Sequence, residues 1–284
     1  SEAEEIIKKS SDSQKKWSDI DIDKRSKIIL KIGDLIKDNK QSYAEIITTE
    51  MGKPISESSA EVEKCIWLCE YYAENGSSFL SDQHIDSDAK SSFISFEPLG
   101  VILGVMPWNF PFWQVFRFAI PALLAGNSIL LKHASNVQAS ALSIEKIFHQ
   151  SGVPHDIFRT LIIGSKMVSD IISNKYVSAV SLTGSEHAGS RVGECSGKNL
   201  KKTVLELGGA DPFIVMEDAN LSNAIDNAVK GRMLNNGQSC IAAKRFIIHS
   251  SIYDEFIDGL QNILQKLKIG NPMEKKNHRG SASA

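Results

Sequence analysis

The sequence predicts an α/β protein built on a doubly wound, mostly parallel sheet. Three observations carry this prediction: short apolar runs, segments of helical periodicity, and the alternation of the two from Val101 onward. Strands that alternate with helices form βαβ units and a parallel sheet. Because helices cover both faces of such a sheet, its strands are apolar along their whole length.

The individual elements can be placed in order along the chain. Before residue 80, apolar residues such as Ile28, Ile32 and Leu35 recur at three- and four-residue steps, which predicts amphipathic helices. Gly52-Lys53-Pro54 interrupts them, a second helical run covers 55–80, and the polar segment 81–92 predicts a loop or hairpin. The predicted strands are 101–106, 128–131, 160–163, 179–182, 203–207, 213–216 and 246–248, and helices between them include 137–150, 186–195 and 221–234.

The composition limits the class of protein. Of the 284 residues, 42% are apolar and 23% are charged, which supports a large core of about two domains and excludes a disordered chain. The 32 basic and 34 acidic side chains leave a net charge of −2. Proteins that bind nucleic acid or membrane surfaces carry a basic excess, so we expect neither partner.

Cysteine usage and the start of the chain predict a cytoplasmic protein. Four cysteines are too few for a disulfide framework in a chain of this length. Cys65 and Cys69 lie four residues apart on a predicted helix without a second Cys or His pair, so we expect buried small residues and no metal site. The acidic start, 1–5, lacks the apolar core of a signal peptide. The longest apolar stretch, 118–131, is too short and too interrupted to span a bilayer.

Two residues stand out as candidates for chemistry. Cys240 lies in a loop between a helical run and a strand, where a thiol is better placed to react than in a core, although an inert cysteine is an equal alternative. Glu206 lies in an apolar strand before Gly208 and Gly209. Burial there raises a carboxyl pKa toward the range of a general base, and the alternative is a structural salt bridge.

Two turns are candidates for binding. Asn109 lies between Pro107 and Pro111 in a stiff turn, which can hold an amide donor for an oxyanion; the alternative is an amide that satisfies the turn backbone. The segment from Thr183 to Gly189 follows a predicted strand and opens a helix, so Ser185 and the glycines suit a phosphate. In the alternative, Ser185 caps the helix and the glycine serves packing.

Five motifs together resemble, in order and spacing, the signature of the aldehyde dehydrogenase superfamily. They are 107–111 (PWNFP), 131–133 (LKH), 182–185 (LTGS), 205–209 (LELGG) and 237–240 (GQSC). The run 106–137 is most similar to the succinate-semialdehyde dehydrogenase branch. The resemblance extends to about Met273, and it implies a Rossmann-like cofactor domain joined to an α/β catalytic domain.

The resemblance implies a role for each candidate catalytic residue. Cys240 would attack the aldehyde as a thiolate and form a thiohemiacetal. The Asn109 side chain, with the Cys240 backbone N–H, would hold the oxyanion. Hydride would pass to the nicotinamide ring, and Glu206 would activate the water that hydrolyses the resulting thioester.

The resemblance also implies a dinucleotide cofactor. Lys132 would bond the adenosine ribose or its phosphate. Members that prefer NAD usually carry glutamate three residues after this lysine, but here the position is Ser135, so the prediction is NADP, with NAD possible. The further cofactor-binding residues that the resemblance implies are Pro107, Trp108, Thr183, Gly184, Ser185, Gly189 and Leu207.

The substrate prediction rests on Arg117. It lies eight residues after Asn109, where the semialdehyde branch places an arginine that faces the substrate. A guanidinium pairs bidentately with a carboxylate, which favours succinate semialdehyde as the aldehyde substrate. The alternative for Arg117 is a structural ion pair.

The resemblance predicts the domain organisation as well. Residues 1–83 and 99–208 would form the dinucleotide-binding domain, and 209–284 the truncated start of the catalytic domain. The segment 84–98 resembles the hairpin through which family members contact other subunits, so a homo-oligomer is expected. Family members continue past the end of this chain, and residues 275–284 no longer resemble them. An alternative function is therefore a fragment that binds dinucleotide or partner chains without turnover, or that has only esterase activity.

Overall fold

Four helices precede the sheet in the computed structural model, which describes residues 2–274. They are α1 (Glu2–Ser18), α2 (Ile22–Asp38), α3 (Lys40–Met51) and α4 (Ile55–Phe79). Gly52 ends α3 in the left-handed conformation (φ 77°), which explains the break that the sequence shows there. Each helix within residues 2–274 is too short or too polar to cross a lipid bilayer. The predicted atypical tail, 275–284, lies outside the described residues.

A short antiparallel hairpin follows these helices. Within residues 2–274, its strands β1 (Gln83–His84) and β2 (Phe93–Ile94) pair only with each other. Large apolar side chains on and beside this hairpin are exposed: Ile85, Phe93, Ile94 and Phe96. The polar segment 81–92, for which a loop or hairpin is predicted, therefore belongs to a hairpin.

A five-stranded parallel sheet forms the centre of the molecule. Its strands are β3 (Val101–Met106), β4 (Ser128–His133), β5 (Phe158–Thr160), β6 (Val177–Thr183) and β7 (Lys202–Glu206), in the spatial order β5-β4-β3-β6-β7. The connecting helices are α5 (Trp113–Leu124), α6 (Gln138–Ser151), α7 (Val168–Ser173) and α8 (Glu186–Lys198). The predicted α/β fold with a doubly wound parallel sheet is confirmed.

Alternate residues of the central strands enter two different cores. In β3, Ile102 and Met106 join the apolar cluster beneath α2 to α6, whereas Val101 and Leu103 join a second cluster on the opposite face. Both sets are buried. Covering both faces removes about 25 cal/mol of unfavourable hydration per Å² of apolar surface, which is why the strands carry apolar residues at consecutive positions.

The rest of the described chain forms a smaller unit. Strands β8 (Pro212–Val215) and β9 (Arg245–Ile248) pair in parallel, and helices α9 (Leu221–Met233) and α10 (Tyr253–Leu264) pack beside them. Their core centres on Val215, Ile225 and Phe256. A turn at Leu234–Gly237 leads from α9 to the loop that contains Cys240.

The structure corrects one predicted strand. The apolar run 160–163 is predicted as a strand, but β5 spans Phe158–Thr160 and pairs with residues 129–131 of β4. The chain turns away after Leu161, whose N–H still donates to Leu131 at 2.7 Å. Pairing with β4 rather than local hydrophobicity therefore sets the bounds of this strand.

A stacked aromatic pair tests the larger core. Phe148 of α6 and Phe158 of β5 are fully buried, with ring centroids 4.4 Å apart. We expect Phe148→Ala to lower the free energy of unfolding by about 3–5 kcal/mol, because it removes apolar contacts and leaves a cavity. Urea unfolding measures this change, and Leu200→Ala, at a side chain that is 95% exposed, is the control, expected within about 0.5 kcal/mol of the parent. A loss below about 1 kcal/mol for Phe148→Ala would contradict this account of the core.

Candidate active site

The order of the strands creates a crevice at one edge of the sheet. From the central β3, the chain first adds β4 and β5 on one side and then β6 and β7 on the other. In open α/β sheets, ligands bind at such a reversal, beyond the carboxyl ends of the strands. Here Pro107 follows β3 and Thr183 ends β6, so the two predicted binding turns flank the crevice.

One pocket at this edge brings the three predicted catalytic residues together. It has a volume of about 200 Å³, and Cys240, Asn109 and Glu206 line it. Its other lining residues are Pro107, Trp108, Gln114, Thr183, Gly184, Ser185, Leu207 and Gln238. Residues from the turn after β3, from α5, from the ends of β6 and β7 and from the loop before β9 therefore meet in one site, although they are far apart in sequence.

Cys240 also borders a second cavity on the side of α4 and α5. This cavity has a volume of about 410 Å³, and its lining includes Lys64, Trp113 and Arg117. The Lys64 ammonium lies 3.9 Å from the centroid of the Trp113 ring, which is a cation–π contact. The thiol thus lies between a pocket bordered by the predicted cofactor residues and a cavity whose charged lining residues are Lys64, Arg117, Glu57 and Glu61.

Asn109 and the cysteine loop are joined by hydrogen bonds. The Asn109 side-chain amide donates to the Gln238 carbonyl at 2.8 Å, and the Asn235 side chain donates to the Asn109 carbonyl at 2.7 Å. An amide nitrogen carries two N–H donors, so one remains for a ligand in the pocket. The stiff turn predicted around Asn109 therefore holds its amide beside the loop of Cys240.

The expectation that Glu206 is buried is wrong. Its side chain is 57% exposed, because β7 is an edge strand of the sheet and most of its residues face solvent. Its carboxylate lies 3.6 Å from the Arg117 guanidinium, which also donates to the Thr183 hydroxyl at 3.1 Å. The structural salt bridge considered for Glu206 and the structural ion pair considered for Arg117 are therefore one and the same contact.

A basic pocket lies beside the carboxyl end of β4. It has a volume of about 540 Å³, and four of its lining residues carry basic side chains: Lys132, Lys166, His187 and Arg191. Burial lowers the pKa of Lys132. Ser135 is exposed and is not among the residues that line this pocket.

The turn after β6 has structural roles. The Ser185 hydroxyl accepts from the Ala188 N–H at 3.2 Å and caps α8. Gly189 is buried, and an added Cβ would lie 2.5 Å from a Leu207 methyl group. A side chain at 189 would therefore displace the Leu207 side chain, which agrees with the packing alternative, whereas Gly184 has room for a side chain at ordinary contact distance.

The sequence reasoning missed a buried ion pair next to this site. Lys53 and Glu61 are paired with side chains 0% and 1% exposed. A signal was present, because Glu61 falls on the apolar face of α4 with Ser58, Val62 and Cys65. An acidic residue on an apolar helix face indicates a buried partner, but the periodicity cannot say which residue that partner is.

The fold and this site define a class: a doubly wound α/β domain whose crevice is completed by a cysteine from an adjoining α/β unit. The chain belongs to the aldehyde dehydrogenase family, whose sequence profile matches residues 1–283. Cys65 and Cys69, the predicted buried pair, are both buried, and this burial raises the pKa of their thiols.

Individual relatives point to one branch of the family. The chain is 51% identical over 248 residues to a probable NADP(+) succinate-semialdehyde dehydrogenase of Synechocystis, covering 87% of this chain and 55% of that protein. It is 48% identical over 244 residues to an NADP(+) succinate-semialdehyde dehydrogenase of Mycobacterium bovis, and the match covers 85% of this chain and 53% of that protein. The structure of the succinic semialdehyde dehydrogenase of Streptococcus pyogenes, solved with NADP+, superposes on this chain with a TM-score of 0.96 at 35% identity. The superposition covers 99% of this chain and 62% of that protein. The chain thus spans about half the length of the curated relatives it matches.

The buried His133 links two strands at the carboxyl edge of the sheet, and its titration can be tested. Its ring nitrogens lie 2.9 Å from the Pro111 carbonyl and 3.3 Å from the Met106 carbonyl, so it ties β4 to the turn after β3. Burial lowers the pKa of His133 from 6.5 to about 4. Below pH 6.5 the unfolded chain therefore binds a proton that the folded chain excludes.

We expect this histidine to contribute about 3 kcal/mol of stability that is present above pH 6.5 and is lost as the pH falls toward 4. Urea unfolding between pH 7 and pH 4 measures it. Between pH 7 and pH 4, the free energy of unfolding of His133→Gln should fall by about 3 kcal/mol less than that of the parent. His84→Gln, at an exposed position, is the control and should follow the parent. Parallel curves for all three proteins would show that His133 does not titrate in this way.

Proposed function

We propose that the protein to which this chain belongs oxidises an aldehyde to a carboxylate with NADP, and that the chain supplies the reactive cysteine. The observation that carries the proposal is the single pocket shared by Cys240, Asn109 and Glu206 at the carboxyl edge of the sheet. Membership of the aldehyde dehydrogenase family supports it.

Cys240 acts as the nucleophile in this proposal. Its thiolate attacks the aldehyde carbon, a C–S bond forms, and the carbonyl electron pair moves onto oxygen. The remaining N–H of the Asn109 amide stabilises that oxyanion. The bond from Asn109 to Gln238 supports this role, because it fixes the amide before the substrate binds.

The residues around the sheet edge suit a dinucleotide with an additional phosphate. The donor set of the basic pocket is the relevant observation: Lys132 and three further basic side chains surround a volume of about 540 Å³. Bound NADP would supply a hydride acceptor. Lys132 would hold the ribose or its phosphate, and Ser135 brings no negative charge that would repel the 2′-phosphate. The NADP(+) named for the Synechocystis and Streptococcus pyogenes relatives supports this choice over NAD.

Glu206 activates water for release of the product. Its exposed carboxylate lines the same pocket as Cys240, so water reaches both groups. Removing a proton from that water makes it the nucleophile that cleaves the thioester and returns the thiolate. Glu206 must leave its 3.6 Å contact with Arg117 or act alongside it.

We propose succinate semialdehyde as the substrate. Arg117 lines the cavity on the α4 side of Cys240, where its guanidinium can hold the carboxylate at the far end of a short semialdehyde. The names of the relatives support this substrate over an uncharged aldehyde.

The domain roles are part of the same proposal. Residues 1–83 and 99–208 serve the cofactor, residues from 209 onward begin the catalytic domain, and the hairpin at 84–98 contacts another copy of the protein. The exposed apolar side chains of this hairpin, among them Phe93 and Ile94, support that contact.

Turnover of succinate semialdehyde tests the proposed activity. With NADP present, we expect NADPH absorbance to rise at a rate that Cys240→Ala abolishes, and NADP to give a higher kcat/KM than NAD. Cys195→Ala is the control, because Cys195 lies on α8 outside the pocket. Binding of NADP without turnover would instead indicate a fragment that binds dinucleotide, and cleavage of esters alone would indicate an esterase.

Arg117→Ala tests the substrate. We expect a KM for succinate semialdehyde raised about tenfold or more, since a charge-assisted bidentate contact is lost. The KM for an uncharged aldehyde such as propanal should change less than about threefold. Lys31→Ala, which removes an exposed cation of α2 that lines neither this cavity nor the basic pocket, is the control. Equal effects of Arg117→Ala on both aldehydes would assign Arg117 to its ion pair with Glu206 only.

A further inference from the structure

The buried pair of Lys53 and Glu61 lies where two loops of the proposed active site meet. Glu61 accepts from the backbone N–H groups of Phe112 and Trp113 at 2.8 and 2.9 Å, at the start of α5. Its other carboxylate oxygen bonds the Lys53 ammonium. Lys53 also lies 3.4 Å from the Asn109 carbonyl and 4.3 Å from the centroid of the Phe110 ring.

The same part of the chain holds the cysteine loop. Glu57, one helical turn before Glu61, accepts from the Asn235 N–H at 2.8 Å, and the Gly52 carbonyl accepts from the Asn236 side chain at 2.9 Å. The Asn109 carbonyl receives both the Asn235 side chain and Lys53. The segment from Gly52 to Glu61 therefore bonds directly to the turn of Asn109 and to the loop that leads to Cys240.

This loop needs external support. Asn235 and Asn236 have φ values of 59° and 57°, and Gly237 follows with φ 75°. Left-handed backbone at two consecutive residues with side chains costs on the order of 1–3 kcal/mol each and persists only where the surroundings impose it. Glu57, Gly52 and the Asn109 carbonyl supply those contacts.

A buried ion pair is a weak source of stability but an effective way to set geometry. Removing two charges from water costs roughly what their attraction returns, and apolar replacements are often as stable. The directional bonds of Lys53 and Glu61, in contrast, have no apolar equivalent. We propose that Lys53 and Glu61 are positioning residues that hold the Asn109 amide in a fixed position relative to Cys240. This role rests on the function proposed above for Asn109 and Cys240.

The test separates placement of the oxyanion donor from access to the thiol. p-Nitrophenyl acetate acylates a thiolate: a C–S bond forms, the carbonyl oxygen carries the charge transiently, and p-nitrophenolate leaves. Iodoacetamide alkylates the same thiolate without an oxyanion. The ratio of the two rates at Cys240, from the p-nitrophenolate burst and from mass spectrometry of the labelled peptide, therefore reports on Asn109 specifically.

The variant to compare with the parent is Lys53→Met combined with Glu61→Leu. It replaces the pair with apolar side chains of similar size and so avoids an unpaired buried charge. We expect acylation of Cys240 to slow about tenfold to a hundredfold while alkylation stays within about twofold, since a misplacement of about 1 Å costs on the order of 100-fold in rate. The matched control is Lys40→Met with Glu63→Leu, which removes an exposed pair from the same region and should leave both rates unchanged.

The other cysteines distinguish positioning from loss of fold. Cys195 is partly exposed and should be alkylated equally in every protein, whereas the buried Cys65 and Cys69 should stay unlabelled. Parental acylation in the double variant would overturn the proposal, as would an equal fall in acylation and alkylation or labelling of Cys65 and Cys69. If the parent itself shows no burst, or if the burst survives in Cys240→Ala, the proposed function fails and the positioning role fails with it.

Discussion

The parallel pairing of β3 with both β4 and β6 is the constraint on which the rest of the structure depends. Because all three strands run in one direction, the turns that follow them meet at the same edge of the sheet. Because the chain leaves β3 first toward β4 and later toward β6, a crevice opens between those turns. The turn of Asn109 and the turn of Ser185 border this crevice as a consequence of strand order, independent of any contact between them.

The cysteine loop reaches that crevice in a different way. It belongs to the smaller unit of β8, β9, α9 and α10, whose apolar core is separate from the cores around the large sheet. Polar contacts with named partners therefore locate it: Asn235 bonds Glu57 and Asn109, and Gln238 bonds Asn109 again. Hydrophobic packing places whole elements, but it is non-directional, so hydrogen bonds and the buried ion pair set the alignment of individual groups.

The sequence predicted the elements that apolar packing places, but it did not predict the polar contacts between distant residues. Apolar runs and helical periodicity predicted each strand of the large sheet, because burial on both faces selects residues locally. The prediction for β5 ends three residues too late, because pairing with β4 sets the end of that strand. The five motifs identified the residues that share the pocket. Glu206 was expected to be buried because its strand is apolar, yet β7 is the edge of the described sheet, and strand order is not a local property. Lys53 was missed because its partners Glu61 and Asn109 lie 8 and 56 residues away.

The sequence by itself determined the α/β class, the order of helices and strands, and the identity of the candidate residues Cys240, Asn109 and Glu206. These follow from periodicity and residue chemistry, which are properties of neighbouring positions. The tertiary structure alone decided that Glu206 is exposed beside Arg117 and that Gly189 makes room for Leu207. It alone decided that a buried lysine joins the two active-site loops. Electrostatic and steric effects depend on distance in space, and that distance exists only once the sheet has brought remote segments together.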